Sequence, residues 1–263
     1  SQAHSSDCTL HVMFESLQKS KAAMQKSRLF GALWYSISAK RGVSSSSKAS
    51  QRFYEHRTYT IKPKYFNEFM QLTNENIHLR TAHSKVLGYW TTEYGGLNEV
   101  THLWQYDNHG HRTAVRAALA NDPNWISSYV SKVLPMMVKQ DNAILYPFHW
   151  YNVVEKPNLE QGVYEMRQHT VVSSKLEQFS HRFQQGVEDR NKYSQLIGIW
   201  YSDFGQLNQV YQLWHYRTPD ERMKIREKSE QDEMWNETIR DSKLFLSSMS
   251  SKLLVPTKFS PWK

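Results

Sequence analysis

Two stretches of this 263-residue chain decide its fold: residues 88–106, GYWTTEYGGLNEVTHLWQY, and residues 198–216, GIWYSDFGQLNQVYQLWHY. Each reads as a strand, a tight connection and a second strand. In the first stretch, aromatic and β-branched residues flank Gly95, Gly96 and Leu97, a short Gly-bearing link that signals a hairpin. Gly88, Trp90, Gly95, Leu97, Asn98, Val100, Leu103, Trp104 and Tyr106 recur as Gly198, Trp200, Gly205, Leu207, Asn208, Val210, Leu213, Trp214 and Tyr216. Tryptophans repeated at fixed spacing are hard to obtain by accident.

Outward from these hairpins the same offset of 110 residues holds without a gap from Tyr54 to Trp125. YEHRTYT at 54–60 is answered by YEMRQHT at 164–170, and Arg112, Arg116 and Trp125 by Arg222, Arg226 and Trp235. Two copies of roughly 100 residues indicate a duplicated domain, since solenoid units are shorter and more numerous. Within a copy the period switches in a fixed order. Phe53 to Ile61 reads as a strand, and Pro63 then opens a helix at its tolerated first turn. Phe66, Phe69, Thr73 and Ile77, with counterparts Leu176, Phe179, Phe183 and Val187, lie on one face of that helix. Val86 to Tyr94 and Asn98 to Tyr106 form the hairpin. A second helical region runs from about Gly110 to Gln140, broken near Pro123 and Pro135, and Ala143 to Trp150 closes the copy as a strand.

This βαββαβ order is the ferredoxin-like split unit. The expected architecture is therefore α+β: tandem ferredoxin-like repeats over 53–150 and 162–263, joined by a linker at 151–161 that contains Pro157 and Asn158. Val100, His102, Trp104 and Tyr106 share one face of their strand, and Leu103 points the other way. A sheet covered by helices on one side has a second apolar face to bury. Packing that face against its equivalent gives a dimeric α+β barrel within one chain, with the ligand pocket expected between the sheets.

Most of the net charge of +8 lies outside these copies, +6 in residues 1–52 and +2 in the remaining 211 residues. Residues 1–52 hold eight Lys and Arg against Asp7 and Glu15, and no acid occurs from Ser16 to Tyr54. A basic, Ser-rich, acid-free segment is the composition of a mitochondrial presequence, and initiation at Met24 would leave a complete-looking leader. A secretory signal built on LFGALWY and a plain disordered tail are the competing readings. The expected location is the mitochondrion, with the cytosol as alternative. No apolar run approaches the roughly 20 residues of a spanning helix, and a charge excess concentrated in the leader gives no reason to expect nucleic acid as a partner. The single cysteine, Cys8, lies in the leader, so thiol chemistry and thiolate metal sites are not expected in the folded copies. The sequon Asn236-Glu237-Thr238 falls in a helical context and carries no weight.

The pattern HLRTAHSKVLGYWTTEYGGLNEVTHLWQYDNHGHRTAVRAAL, followed by YPFHW, resembles the NIPSNAP family, in its third-member-like subclass, over essentially all of residues 53–263. The resemblance implies the dimeric α+β barrel, association with mitochondria, and roles in vesicular transport and in marking damaged mitochondria for autophagy through protein adaptors. It brings no catalytic residues. In the second copy YRTPDER stands where the first has YDNHGHR, so the two copies need not share a partner.

Candidate chemistry comes from a few residues. Glu55 with Arg57, and Glu165 with Arg167, sit two apart on a strand and can present a carboxylate and a guanidinium to a ligand; a structural ion pair is the bland alternative. His102 on the Trp104 face is a candidate proton carrier lining the barrel, although Gln212 takes its place in the second copy and a hydrogen-bonded core histidine is the commoner case. Trp104 and Trp214 complete the candidate lining. His109 and His111 read as a solvated loop with no third metal ligand. Arg112 with Arg116, and Arg222 with Arg226, lie a turn apart and read as a solvated helix face or an anion clamp. Walker, dinucleotide, nucleophile-elbow and HExxH motifs are missing. The expected function is a non-enzymatic binding or adaptor protein without cofactor or metal; the alternative is a monooxygenase-like enzyme acting on a small molecule between the sheets.

Overall fold

A computed structural model describes residues 51–155, 157 and 161–263. The leader, with Cys8 and Met24, and the centre of the linker lie outside the described residues. Strand β1 (Phe53–Ile61) leads through a 3-10 turn at Pro63–Tyr65 into helix α1 (Phe66–Thr81). The hairpin follows as β2 (Lys85–Tyr94) and β3 (Glu99–Tyr106), then helix α2 (His109–Ala120) and β4 (Met137–Pro147). The second half runs β5 (Val163–Val171), α3 (Leu176–Asn191), β6 (Leu196–Phe204), β7 (Gln209–Tyr216), α4 (Pro219–Ser229), α5 (Glu233–Lys243) and β8 (Leu246–Pro256). Among the described residues no helix is long and apolar enough to cross a membrane.

All eight strands join one closed antiparallel barrel in the order β1-β3-β2-β8-β5-β7-β6-β4. The halves meet edge to edge. β2 pairs with β8, Trp90 opposite Pro256 and Tyr94 opposite Leu253, and β4 pairs with β6, Ile144 opposite Phe204 and Pro147 opposite Trp200. Closure leaves no free edge along these seams, and unpaired edges are what invite unwanted pairing.

The barrel has two apolar faces, and their assignment differs from the sequence expectation. The lumen is filled by Tyr54, Leu87, Trp90, Leu103, Leu145 and Tyr164, together with their neighbours Ile197, Trp200, Leu213 and Leu254. Trp104 and Trp214 point outward instead, into the cores between strands and helices. Glu55, Arg57, His102, Glu165 and Arg167 share that outer face by strand alternation. Alternation separates two faces without saying which is inside. β3 and β7 are buried along nearly their whole length on both faces, so polarity does not mark the inner one.

Gly88 and Gly198 explain how indoles fit the lumen. The register between β2 and β3 shifts between Val86 and Gly88, and the register between β6 and β7 between Leu196 and Gly198. At each bulge the following tryptophan folds back over the glycine: a Cβ on Gly88 would lie 2.0 Å from the Trp90 ring, and one on Gly198 2.2 Å from that of Trp200.

The second helical region is where the halves part. In the first half, Pro123–Trp125 runs into a π-helical turn at Ile126–Val130, then Ser131–Val133 and a 3-10 turn at Leu134–Met136. In the second half α5 is regular. Trp125 corresponds to Trp235 at the offset of 110, whereas Ile144 opposite Glu55 corresponds to Leu253 opposite Glu165 at an offset of 109. The first half thus carries one extra residue here, and the π turn absorbs it. The closing strand also starts earlier than expected, at Met137 rather than Ala143; residues 138–142 are exposed, and after Val138 they are polar with no apolar alternation to mark them as strand.

Candidate functional site

Each half builds a buried ion cluster between sheet and helices. Glu55, fully buried on β1, accepts from Arg112 of α2 through Nε at 3.1 Å and Nη2 at 2.7 Å, and from Asn142 Nδ2 of β4 at 2.8 Å. Arg57 Nε stands 3.1 Å from the same carboxylate as an ion pair. Burial alone would push this carboxyl up, but the Arg112 hydrogen bonds and the Arg57 charge outweigh it and hold it at about 2. Glu165 on β5 repeats the arrangement. It accepts from Arg222 of α4 at 2.5 Å, Arg167 Nε at 3.1 Å, Ser251 Oγ of β8 at 2.7 Å and Tyr216 Oη at 3.2 Å, and against its burial these partners hold it at about 2.

These contacts correct two expectations. Arg112 and Arg222 are neither a solvated face nor a clamp for an external anion, since each closes on a buried glutamate of its own half. The ion pairing runs along one strand and up to a helix. His109 and His111 are likewise no loop: Asn108 accepts from the backbone N–H of His111 at 2.8 Å and caps α2, and His109 Nε2 lies 3.0 Å from Tyr146 Oη.

His102 is a core histidine. Trp104 Nε1 donates to its Nδ1 at 2.5 Å, and its ring stacks on Tyr89 with centroids 4.7 Å apart. Burial, reinforced by the charges of Arg57 and Arg80, drops its pKa well below the usual histidine range. In the second half Trp214 Nε1 donates to Gln212 Oε1 at 3.1 Å, so Gln212 does the same structural task without titrating. Trp104 and Trp214 lie under guanidinium groups, Arg80 at 4.3 Å and Arg190 at 4.8 Å from the ring centroids. Among the described residues no three His, Cys, Asp or Glu side chains converge to hold a metal ion.

A cavity of about 530 Å³ opens on this outer face in the second half, between β5, β8 and helices α3, α4 and α5. Arg167 and His169 of β5, Arg190 of α3 and Arg226 of α4 face it, with Phe179, Phe183 and Trp235 as its apolar wall. Burial and the Arg167 charge hold His169 down to about 4, so its ring is neutral near pH 7. The sequence marked Arg167 but placed it between the sheets, and it missed the cavity itself. The available signal was a difference in tyrosines between the halves: at the offset of 110, Tyr59, Tyr89 and Tyr129 stand where the second half has His169, Ile199 and Ile239.

The NIPSNAP family model matches this chain twice, over residues 54–152 and 164–261. NipSnap homolog 3A of Homo sapiens is 38% identical over 214 residues, which cover 80% of this chain and 86% of that protein. NipSnap homolog 3B of Mus musculus matches to the same extent. Among solved structures, a candidate monooxygenase from Lactobacillus acidophilus superposes with a TM-score of 0.57 at 15% identity, covering 78% of this chain and 94% of that one, a likeness of fold alone. On the strength of two family matches that span both halves of the barrel, the chain belongs to the NIPSNAP family, with third-member-like relatives.

Proposed function

We propose that this protein is a NIPSNAP-type binding protein that acts at mitochondria as an adaptor in vesicular transport or mitophagy signalling, through partners of protein nature. We further infer that its halves, 53–150 and 162–263, are copies of one ferredoxin-like unit whose edges have joined. The carrying observation is the lumen. A catalytic site between the sheets needs open space and an accessible titratable group, but the lumen is packed with Trp90, Trp200 and Tyr164, and the buried glutamates are held by their own arginines. The acid-free leader supports mitochondrial placement. Imaging a C-terminally tagged full chain beside one starting at Gln51 tests it. The full chain is expected on mitochondria and the shortened one in the cytosol; the same diffuse signal from both refutes targeting.

A second reading is favoured by the cavity under α3, α4 and α5: a small-molecule enzyme with its site outside the lumen. Turnover of a small aromatic substrate by the purified full chain, lost when that cavity is filled, would carry this reading in place of the adaptor role.

A further inference from the structure

The first half shows what the second has given up. Around Arg57, Tyr59 Oη accepts from Nη1 at 2.7 Å, Tyr129 Oη lies 2.9 Å from Thr73 Oγ1, and Tyr89 stacks on His102. Three rings and their hydroxyls fill the space between sheet and helices. In the second half His169 replaces Tyr59, Ile199 replaces Tyr89, and without the extra π-turn residue α5 offers Ile239 where the first half has Tyr129. The cavity of about 530 Å³ is what remains, a size that suits a small ligand.

Removing the tyrosines also removes partners for cations. Arg167 keeps its Nε bond to Glu165 but has no hydroxyl in place of that of Tyr59. The guanidinium of Arg226, half-buried on the cavity wall, has no hydrogen-bond or ion-pair partner among the described residues. Lys243 stands exposed at the rim, and Arg190, nearly fully buried, is already committed to Tyr216 Oη at 3.0 Å and Ser194 Oγ at 2.7 Å. One carboxylate, the exposed Glu230, lines the cavity against these four cations. Ser242 Oγ, also on the wall, is buried with no partner among the described residues. Half-buried guanidinium groups beside aromatic walls recognise anions that carry an apolar body, because planar forked donors match carboxylate and phosphate oxygens while the rings cover the rest.

We infer that the second half binds a small amphipathic anion, a carboxylate or phosphate monoester on an aromatic or branched apolar body, with Arg226 and Arg167 on the anionic group and Phe179, Phe183 and Trp235 around the body. This goes beyond the adaptor reading and does not depend on it. Calorimetric titration of the full 263-residue chain with 1-naphthyl phosphate, 1-naphthoate, neutral 1-naphthol and inorganic phosphate tests it. At least one naphthyl anion is expected to bind one per chain, and the relative affinity of the two separates a phosphate site from a carboxylate site. Naphthol and inorganic phosphate should each bind about tenfold or more weakly, since either lacks half of the recognition. Arg226→Gln, melting like the parent, should lower affinity for the anion about tenfold, and His169→Tyr, which restores the filling residue of the first half, should abolish binding. The inference is overturned if no naphthyl anion binds at millimolar concentration, if naphthol or phosphate binds equally well, or if Arg226→Gln leaves affinity unchanged.

Discussion

At the scale of single residues the stability of this protein turns on how its buried charges are paired. Glu55 keeps two Arg112 hydrogen bonds and one from Asn142, whereas Arg57 offers it an ion pair alone. Arg112→Met therefore leaves a buried carboxylate without its principal partner and is expected to cost about 3–5 kcal/mol in urea unfolding. Arg57→Met should cost clearly less, and an equal loss from both variants would show that the strand pair dominates after all. The histidines set a different sensitivity. Burial holds His56 and His169 at about 4, and His102 lower than the usual range. A histidine whose folded pKa is depressed takes its proton more readily in the unfolded chain. Its neutral form is therefore fully tolerated above about pH 6.5, and stability drains by about 1.4 kcal/mol per pH unit per histidine as pH falls toward 4. Glu55 and Glu165, held at about 2, stabilise above the unfolded carboxyl range near 4.3 and lose that contribution only as pH falls further, toward 2. Loss between pH 6.5 and 4.5 thus belongs to the histidines. His102→Gln copies Gln212, keeps an acceptor for the Trp104 indole, and should match the parent at pH 7.5 while its stability falls less steeply on acidification. A parallel pH profile would mean that His102 is accommodated when charged.

At the scale of elements the bulges in β2 and β6 deserve the closest test. Trp90 cannot retreat from an added methyl on Gly88, because Tyr164 packs edge-on to it at 5.4 Å and Trp262 lies 6.2 Å away. Gly88→Ala is expected to cost about 3 kcal/mol by overpacking, and much less when placed on a Trp90→Leu background, so the two changes should couple strongly in a double-mutant cycle. Additive effects would mean that backbone conformation, not the ring, is what requires glycine. The same element shows what was legible in the sequence. The recurrence of Gly-x-Trp and the hairpin turn fixed β2, β3, β6 and β7 to within a residue or two of their observed ends. Which face looks inward was not legible, because Leu103 and Trp104 are both buried, one in the lumen and one under helices. The early half of β4 escaped for the opposite reason, being exposed on both faces from Val138 to Asn142 and polar from Lys139 onward. The cavity was hidden in a one-residue change of offset, which matters only once a π turn is seen to push Tyr129 into the space that Ile239 leaves open.

At the scale of the whole molecule the barrel is held by two seams and a tail. Each half taken alone would expose the edges of its outer strands, β2 and β4 in the first and β6 and β8 in the second, along with the apolar face that lines the lumen. Trp262 then ties the second half to the first. Its backbone N–H donates to Leu87 O at 3.2 Å, its indole donates to Glu155 O at 3.1 Å, and its ring is buried against Trp90. Segments 51–155 and 161–263 produced together as separate chains are therefore expected to co-purify one to one through a tag on either. Produced singly, each should self-associate or aggregate, since open edges and a bare apolar face find substitutes. Trp262→Ala in the second segment removes the tie while leaving both seams, and deleting a buried indole of this kind costs about 3–5 kcal/mol. It should loosen the reconstituted pair by at least about a hundredfold at 1.4 kcal/mol per tenfold, measured as a rise in the dissociation constant by calorimetry or sedimentation. If the variant pair holds as tightly as the parent, strand pairing at the seams carries the assembly. If the segments fail to retrieve each other at all, closure of the barrel depends on the covalent link between the halves.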